Sequence, residues 1–332
     1  MSYKNPLLYG IGLALILALI SCHSKHNEQT QFAEFTQQSR GANELIDMSQ
    51  FTNVVLDIPY ANNQNPRQTL DIVYPSVGEP PYKTIVVLHG GGWMTGDKQS
   101  KSISTIFQAT TQGYALVSVN YRLSDEVKWP KPLLDAKAAL RHIRVNASIY
   151  KLDAEKIVVW GESAGAHIAM MLAATNGHPA FENLSMGNTA ISSSVQGVVA
   201  WYGIADMSRL PNLAVPAANE IMGYDISKNW EKTNDANPIK LVTDQFPPIL
   251  LVHGTSDQII PFSHSANMHS KVNNETDKPT AELIAFEGAG HGDAVIKSMD
   301  NVIQNLDFVD KILFNGNNPY RNKNYIKIRL AQ

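Results

Sequence analysis

The chain is nearly devoid of cysteine: Cys22 is the only one in 332 residues. No intramolecular disulfide can form, nor any zinc site built on two or more cysteines. Charge is also scarce, at 17% of residues. Average soluble proteins carry about 25%, so this surface is polar more than ionic. Neither sign dominates, with 27 Lys and Arg against 30 Asp and Glu and a formal charge of -3. That balance excludes a basic nucleic-acid binder held by phosphate contacts, and equally an acidic disordered tail. No internal repeat is visible. What is present is a hydrophobic content of 44%, enough for a large core. The length allows one large α/β domain or two smaller ones.

The N-terminus reads as an export signal. Lys4 precedes the apolar run from Leu7 to Ile20, which is too short for a bilayer that needs roughly 20 apolar residues. The following Leu19-Ile20-Ser21-Cys22 resembles a bacterial lipobox, in which the cysteine becomes the first residue and carries the lipid. The expectation is a signal peptide over 1–21, a lipid on Cys22, and a membrane-anchored protein of the cell envelope facing the periplasm or the cell surface. An uncleaved anchor, or a cleaved signal with an incidental cysteine, is the alternative. Residues 22–50 are rich in Gln, Ser, Asn and His and read as a polar tether.

The body alternates strand and helix patterns. Strands are expected at 51–60, 68–74, 84–89, 114–121, 156–160, 195–201, 248–253 and 281–286. Unbroken apolar runs such as Thr84-Ile85-Val86-Val87-Leu88 suit a parallel sheet covered on both faces. Leu133, Ala136, Leu140 and Ile143 recur at helical spacing, as do Val295, Met299, Val302, Leu306 and Val309. The pattern predicts one α/β domain over 51–314: a mainly parallel eight-stranded sheet flanked by helices, its first two strands an antiparallel edge. The stretch 203–244 predicts a small lid-like insertion after strand six, with Trp230 and Met222 as candidate substrate contacts. Residues 315–332 read as an extension, either an extra strand or a loose tail.

Three motifs carry chemistry. Gly161-Glu162-Ser163-Ala164-Gly165 lies between a buried strand and an amphipathic helix pattern. A serine on such a tight turn is thrust out of the sheet, and the flanking glycines allow close approach. His89-Gly90-Gly91-Gly92-Trp93 ends a buried strand. Three consecutive glycines destabilise a chain unless its backbone must come close to something, and free N–H groups there can receive an oxyanion. Trp93 beside them is a further candidate contact. Finally, Asp257 and His291 each follow a strand, where sites of open α/β sheets form. Asp206 also follows a strand and is a rival acid. Of the remaining histidines, His89 and His253 sit at strand ends, where they brace loops, His23 and His26 lie on the tether, and His142, His167, His178, His264 and His269 have no metal-ligand spacing with nearby Asp, Glu or Cys; none is assigned a role.

From about Thr69 to Lys311 the chain resembles the α/β-hydrolase superfamily, specifically bacterial carboxylesterases with HGGGW and G-x-S-A-G motifs. It is most similar to the polysaccharide-associated branch of feruloyl and acetyl esterases. Hormone-sensitive-lipase-like relatives usually show an acidic residue before the nucleophile, as Glu162 stands here, but they differ around the acid, where this chain has Gly254-Thr255-Ser256-Asp257. The resemblance implies a Ser163, Asp257, His291 triad in the chain order of that superfamily. It implies an oxyanion hole from the amides of Gly91, Gly92 and Ala164, and no metal or organic cofactor. The implied substrate is a short-chain or aromatic acyl ester, as a small molecule or on acylated polysaccharide. Two other readings stay open: an amidase or formamidase of the same fold, and a non-catalytic surface binding protein.

Overall fold

The computed structural model describes residues 44–321. Eight strands form one sheet: β1 Val54–Pro59, β2 Thr69–Val73, β3 Tyr82–Leu88, β4 Tyr114–Val119, β5 Leu152–Glu162, β6 Gly197–Trp201, β7 Ile249–Gly254 and β8 Ala281–Phe286. Their spatial order is β1-β2-β4-β3-β5-β6-β7-β8. β1 pairs antiparallel with β2, and β2 antiparallel with β4, while every later pairing is parallel. The expected eight strands and antiparallel edge are therefore observed.

Burial follows from position in that order. Every residue of β4, β6 and β7 is buried, which is why their sequences are continuous apolar runs. The edge strand β1 is mostly exposed. Successive side chains alternate faces, so Val86, Leu88, Val117 and Leu251 enter one core and Ile85, Val87, Leu116 and Leu250 the other. The first core is closed by α1 Lys131–Val145 and α2 Ala164–Ala174, through Leu133, Leu140, Ile168 and Leu172. The second is closed by a 3-10 helix at Lys101–Gln112 and by the C-terminal helix Met299–Leu313, through Ile106, Phe107, Val302 and Leu306.

Three expectations are refined. The C-terminal helix starts at Met299 with Ser298 as its cap, so Val295 lies in the preceding turn and is 43% exposed. Residues 44–50, assigned to the tether, join the fold instead: Leu45 bridges to Ser100 and Ile46 is buried. The described part of the tail, 315–321, is not a strand; Asn318 donates to the Gln112 carbonyl and Arg321 pairs with Asp310. Cys22 and the signal segment lie outside the described residues.

The 203–244 stretch folds as short 3-10 turns around α3 Val215–Met222. It is tied to the side of the sheet that α1 and α2 cover by side-chain donors to its backbone. His167 Nε2 donates to the Ala236 carbonyl at 2.8 Å, and Trp129 Nε1 to the Asp235 carbonyl at 3.2 Å. Met222 packs on the first core. Trp230 is 55% exposed, with the Lys240 ammonium 5.9 Å from its ring centre.

Candidate active site

The turn from β5 into α2 is held by close backbone contacts. Ser163 takes φ 50° and ψ −117°, a left-handed conformation that few L-residues adopt. Its flanking glycines are needed for space. A Cβ on Gly161 would lie 2.4 Å from the Gly165 backbone, and one on Gly165 only 2.2 Å from the Leu88 carbonyl oxygen. No side-chain rotation relieves a clash between two backbones. Gly165→Ala is therefore expected to lose roughly 3 kcal/mol of stability. Thermal unfolding checks this, and an unchanged Tm would mean that α2 and β3 can separate freely.

Two distant residues converge on this turn. His291 Nε2 lies 3.0 Å from Ser163 Oγ, and His291 Nδ1 lies 2.7 Å from Asp257 Oδ2. Asp257 Oδ1 accepts the amides of Ile259 and Ile260, each at 2.9 Å. With Nδ1 donating to the carboxylate, Nε2 of a neutral ring is the acceptor that the serine hydroxyl needs. Burial pushes the Asp257 carboxyl up. Hydrogen bonds from His253 and His291, the His291 charge and the Ile260 amide outweigh that and hold it well below the usual carboxylate range. Asp206, the rival acid, caps the turn at Met207–Arg209 and pairs with Arg209 instead.

The glycine loop lies beside the turn. Gly91 and Gly92 take φ 108° and 61°. The Gly91 carbonyl accepts from Met94 and Thr95, while the amides of Gly91, Gly92 and Ala164 donate to no acceptor among the described residues. His89 braces the loop: its Nδ1 donates to the Gly90 carbonyl at 2.8 Å and its ring stacks on Tyr121. Trp93 is 2% exposed and packs edge-on against His167, so it belongs to the core and is no surface for substrate. Among the described residues no cluster of three metal-binding side chains occurs.

His253 has a part that its sequence position did not announce. It is fully buried, and its Nε2 lies 2.8 Å from the Ile260 carbonyl and 3.2 Å from Asp257 Oδ2. Both neighbours are acceptors, so Nε2 carries a proton and Nδ1 accepts from Ser265 Oγ at 2.7 Å. The Asp257 carboxylate thus receives two histidines on one oxygen. The i,i+4 spacing of His253 and Asp257 around the Gly254 turn is the sequence signal that would have found it. His253→Leu removes one donor to an ionised group and is expected to lower kcat about 10–100-fold, with KM nearly unchanged. Steady-state kinetics decide it; full activity would make His253 a packing residue only. Tyr202 was also missed: at the end of β6, it sets its ring 4.7 Å from that of His291.

Comparison with known proteins gives the family and the fold. The BD-FAE family model matches residues 70–272. The chain is 26% identical to "Esterase LipC" of Mycobacterium tuberculosis over 232 residues, which are 69% of this chain and 57% of that protein. It spans about half the length of the curated relatives it matches. A structure described as a truncated form of a carbohydrate esterase from gut microbiota superposes with TM-score 0.73 at 27% identity, covering 81% of this chain and 99% of that one. A bifunctional GH43-CE of Bacteroides eggerthii superposes with TM-score 0.71 at 29% identity, over 78% of this chain and 35% of its own. With the family model covering more than half of its residues, and with the sheet and turn described above, this chain belongs to the BD-FAE family and has the α/β-hydrolase fold.

Proposed function

We propose that the protein is a serine carboxylesterase that removes short-chain or aromatic acyl groups, acetyl or feruloyl, from polysaccharide. The observation that carries this is the unbroken relay from Ser163 Oγ through His291 to Asp257, next to amides with no acceptor among the described residues. Ser163 attacks the ester carbonyl while His291 takes its proton and then returns it to the leaving alcohol. The carbonyl oxygen becomes an oxyanion received by the amides of Ala164 and of Gly91 and Gly92. Water, deprotonated by the same His291, then releases the acid. The carbohydrate part draws on the two relatives whose names refer to carbohydrate esters or to a glycoside-hydrolase partner. The cellular part is an export signal over 1–21 with a lipid on Cys22, which places the enzyme where such polymers are met.

The test is a substrate panel on the full chain, with fluorophosphonate labelling of Ser163 as a parallel readout. Turnover of acetylated xylan or methyl ferulate beyond that of nitrophenyl acetate supports the polysaccharide reading. Activity confined to nitrophenyl esters retires it but keeps the esterase. Preference for formamides would favour the amidase reading, and absence of labelling would leave the binding-protein reading. Palmitate incorporation that is lost in Cys22→Ala tests the anchor.

A further inference from the structure

Glu162 stands immediately before the nucleophile, is 4% exposed, and has no part in the relay. Its carboxylate accepts from the Lys297 ammonium at 3.0 Å, the Tyr202 hydroxyl at 2.6 Å and the Ser102 hydroxyl at 2.5 Å. These donors come from three walls of the site. Ser102 lies in the 3-10 helix behind the glycine loop, Tyr202 at the end of β6, and Lys297 in the turn that follows His291. The Lys297 stem runs over Gly292, where a Cβ would stand 3.6 Å from Lys297 Cε. Glu162 also touches the oxyanion loop, since a Cβ on Gly90 would lie 3.2 Å from its Oε1. One buried side chain therefore contacts the glycine loop, the tyrosine beneath His291 and the loop that carries His291.

Charge makes this more than packing. Burial pushes the Glu162 carboxyl up, but Lys297 and the hydrogen bonds from Ser102 and Tyr202 hold it down to about 2. The carboxylate is therefore ionised at neutral pH. Left alone, a buried anion at this position would oppose the oxyanion and favour the imidazolium; the ammonium cancels both effects.

We infer that Glu162 and Lys297 form a charge-balanced clasp that fastens the His291 loop to the nucleophile strand and sets the acid limit of activity. Both are positioning residues, and the inference rests on the serine esterase reading. The groups packed against His291 are Ser163, Asp257 with His253 behind it, and Tyr202 with Glu162 behind it; of the charged residues in its own loop, Lys297 pairs with Glu162 and the exposed Asp293 accepts from the Val295 amide. Only the clasp members change below.

The experiment measures kcat/KM for nitrophenyl acetate against pH in wild type, Glu162→Gln, Lys297→Met and Lys297→Arg. Glu162→Gln leaves a net positive neighbour, disfavours the imidazolium, and moves the acid limb to lower pH by about half a unit or more. Lys297→Met leaves the unpaired carboxylate, moves the limb to higher pH, and lowers kcat/KM about 10–100-fold. Lys297→Arg keeps the wild-type limb. Limbs that stay in place, or move the same way in both charge variants, overturn the clasp. Should Lys297→Met not fold by circular dichroism, the displacement in Glu162→Gln decides alone, because glutamine keeps an acceptor and Lys297 can turn to water. If wild type neither turns over nor labels, the esterase reading has failed. The His291 titration followed by histidine NMR then tests the clasp by the same displacements.

Discussion

Replacing Ser163 by alanine lowers kcat by roughly 10⁴–10⁶ and leaves the fold intact. Both halves follow from the same geometry. Among the described residues the hydroxyl hydrogen-bonds His291 alone, at 3.0 Å, so its removal strips no other group there of a partner. Alanine at φ 50° meets the same steric cost as serine, because both carry a Cβ, so the backbone strain at the turn is unchanged. The catalytic loss is large because, among the described residues, no other hydroxyl or thiol is hydrogen-bonded to His291. The amides around the site can still polarise a carbonyl and His291 stays paired with Asp257, but water must then attack in place of a covalently held hydroxyl and no acyl-enzyme forms. A factor of 10⁵ corresponds to about 7 kcal/mol of barrier. Nitrophenyl acetate hydrolysis and fluorophosphonate labelling should vanish together while Tm stays within a degree or two. Retained turnover in a clean preparation would remove Ser163 from its role.

The parts of this site that were legible in the sequence share a physical reason. Ser163, Asp257 and His291 each sit in a short glycine-punctuated segment beyond a strand, buried for the first two and the half-exposed edge strand β8 for His291, and glycine there marks backbone approach. A Cβ on Gly254 would stand 2.2 Å from the Ala289 carbonyl oxygen, so the Asp257 and His291 loops are packed backbone to backbone. Strands β4, β6 and β7 were legible because burial on both faces removes polar residues from them. The start of β5 was not. Glu155 and Lys156 are exposed there, and the register with β3 shifts between Lys83 and Thr84, so the pattern looks polar until Ile157. Lys297 and Tyr202 were illegible for another reason. Each looks like an ordinary loop or strand-end residue until the fold brings Glu162 to it. Trp93 shows the reverse error: its place beside the glycine loop suggested substrate contact, but edge-on packing against His167 uses it in the core.

Asp257→Asn lowers kcat by about 10⁴ with a much smaller change in KM. The carboxylate is surrounded only by donors: two backbone amides on Oδ1 and two histidines on Oδ2. An amide has one acceptor oxygen and one donor nitrogen, so either orientation sets its NH₂ against donors. If the oxygen keeps the Ile259 and Ile260 amides, the nitrogen faces both imidazoles. His291 then relieves the conflict by moving its proton to Nε2 and accepting at Nδ1. In that tautomer Nε2 points a hydrogen at Ser163 and cannot take one from it. If the amide turns the other way, two buried amides lose their acceptor and the turn after β7 is destabilised, typically by about 1–3 kcal/mol for each group left unpaired. Substrate binding is touched in neither case, which is why the loss falls on kcat. Fluorophosphonate labelling should slow in proportion, since it uses the same base. A variant within tenfold of wild type would require another carboxylate to serve His291, and Asp206 is engaged elsewhere, capping its own turn and pairing with Arg209.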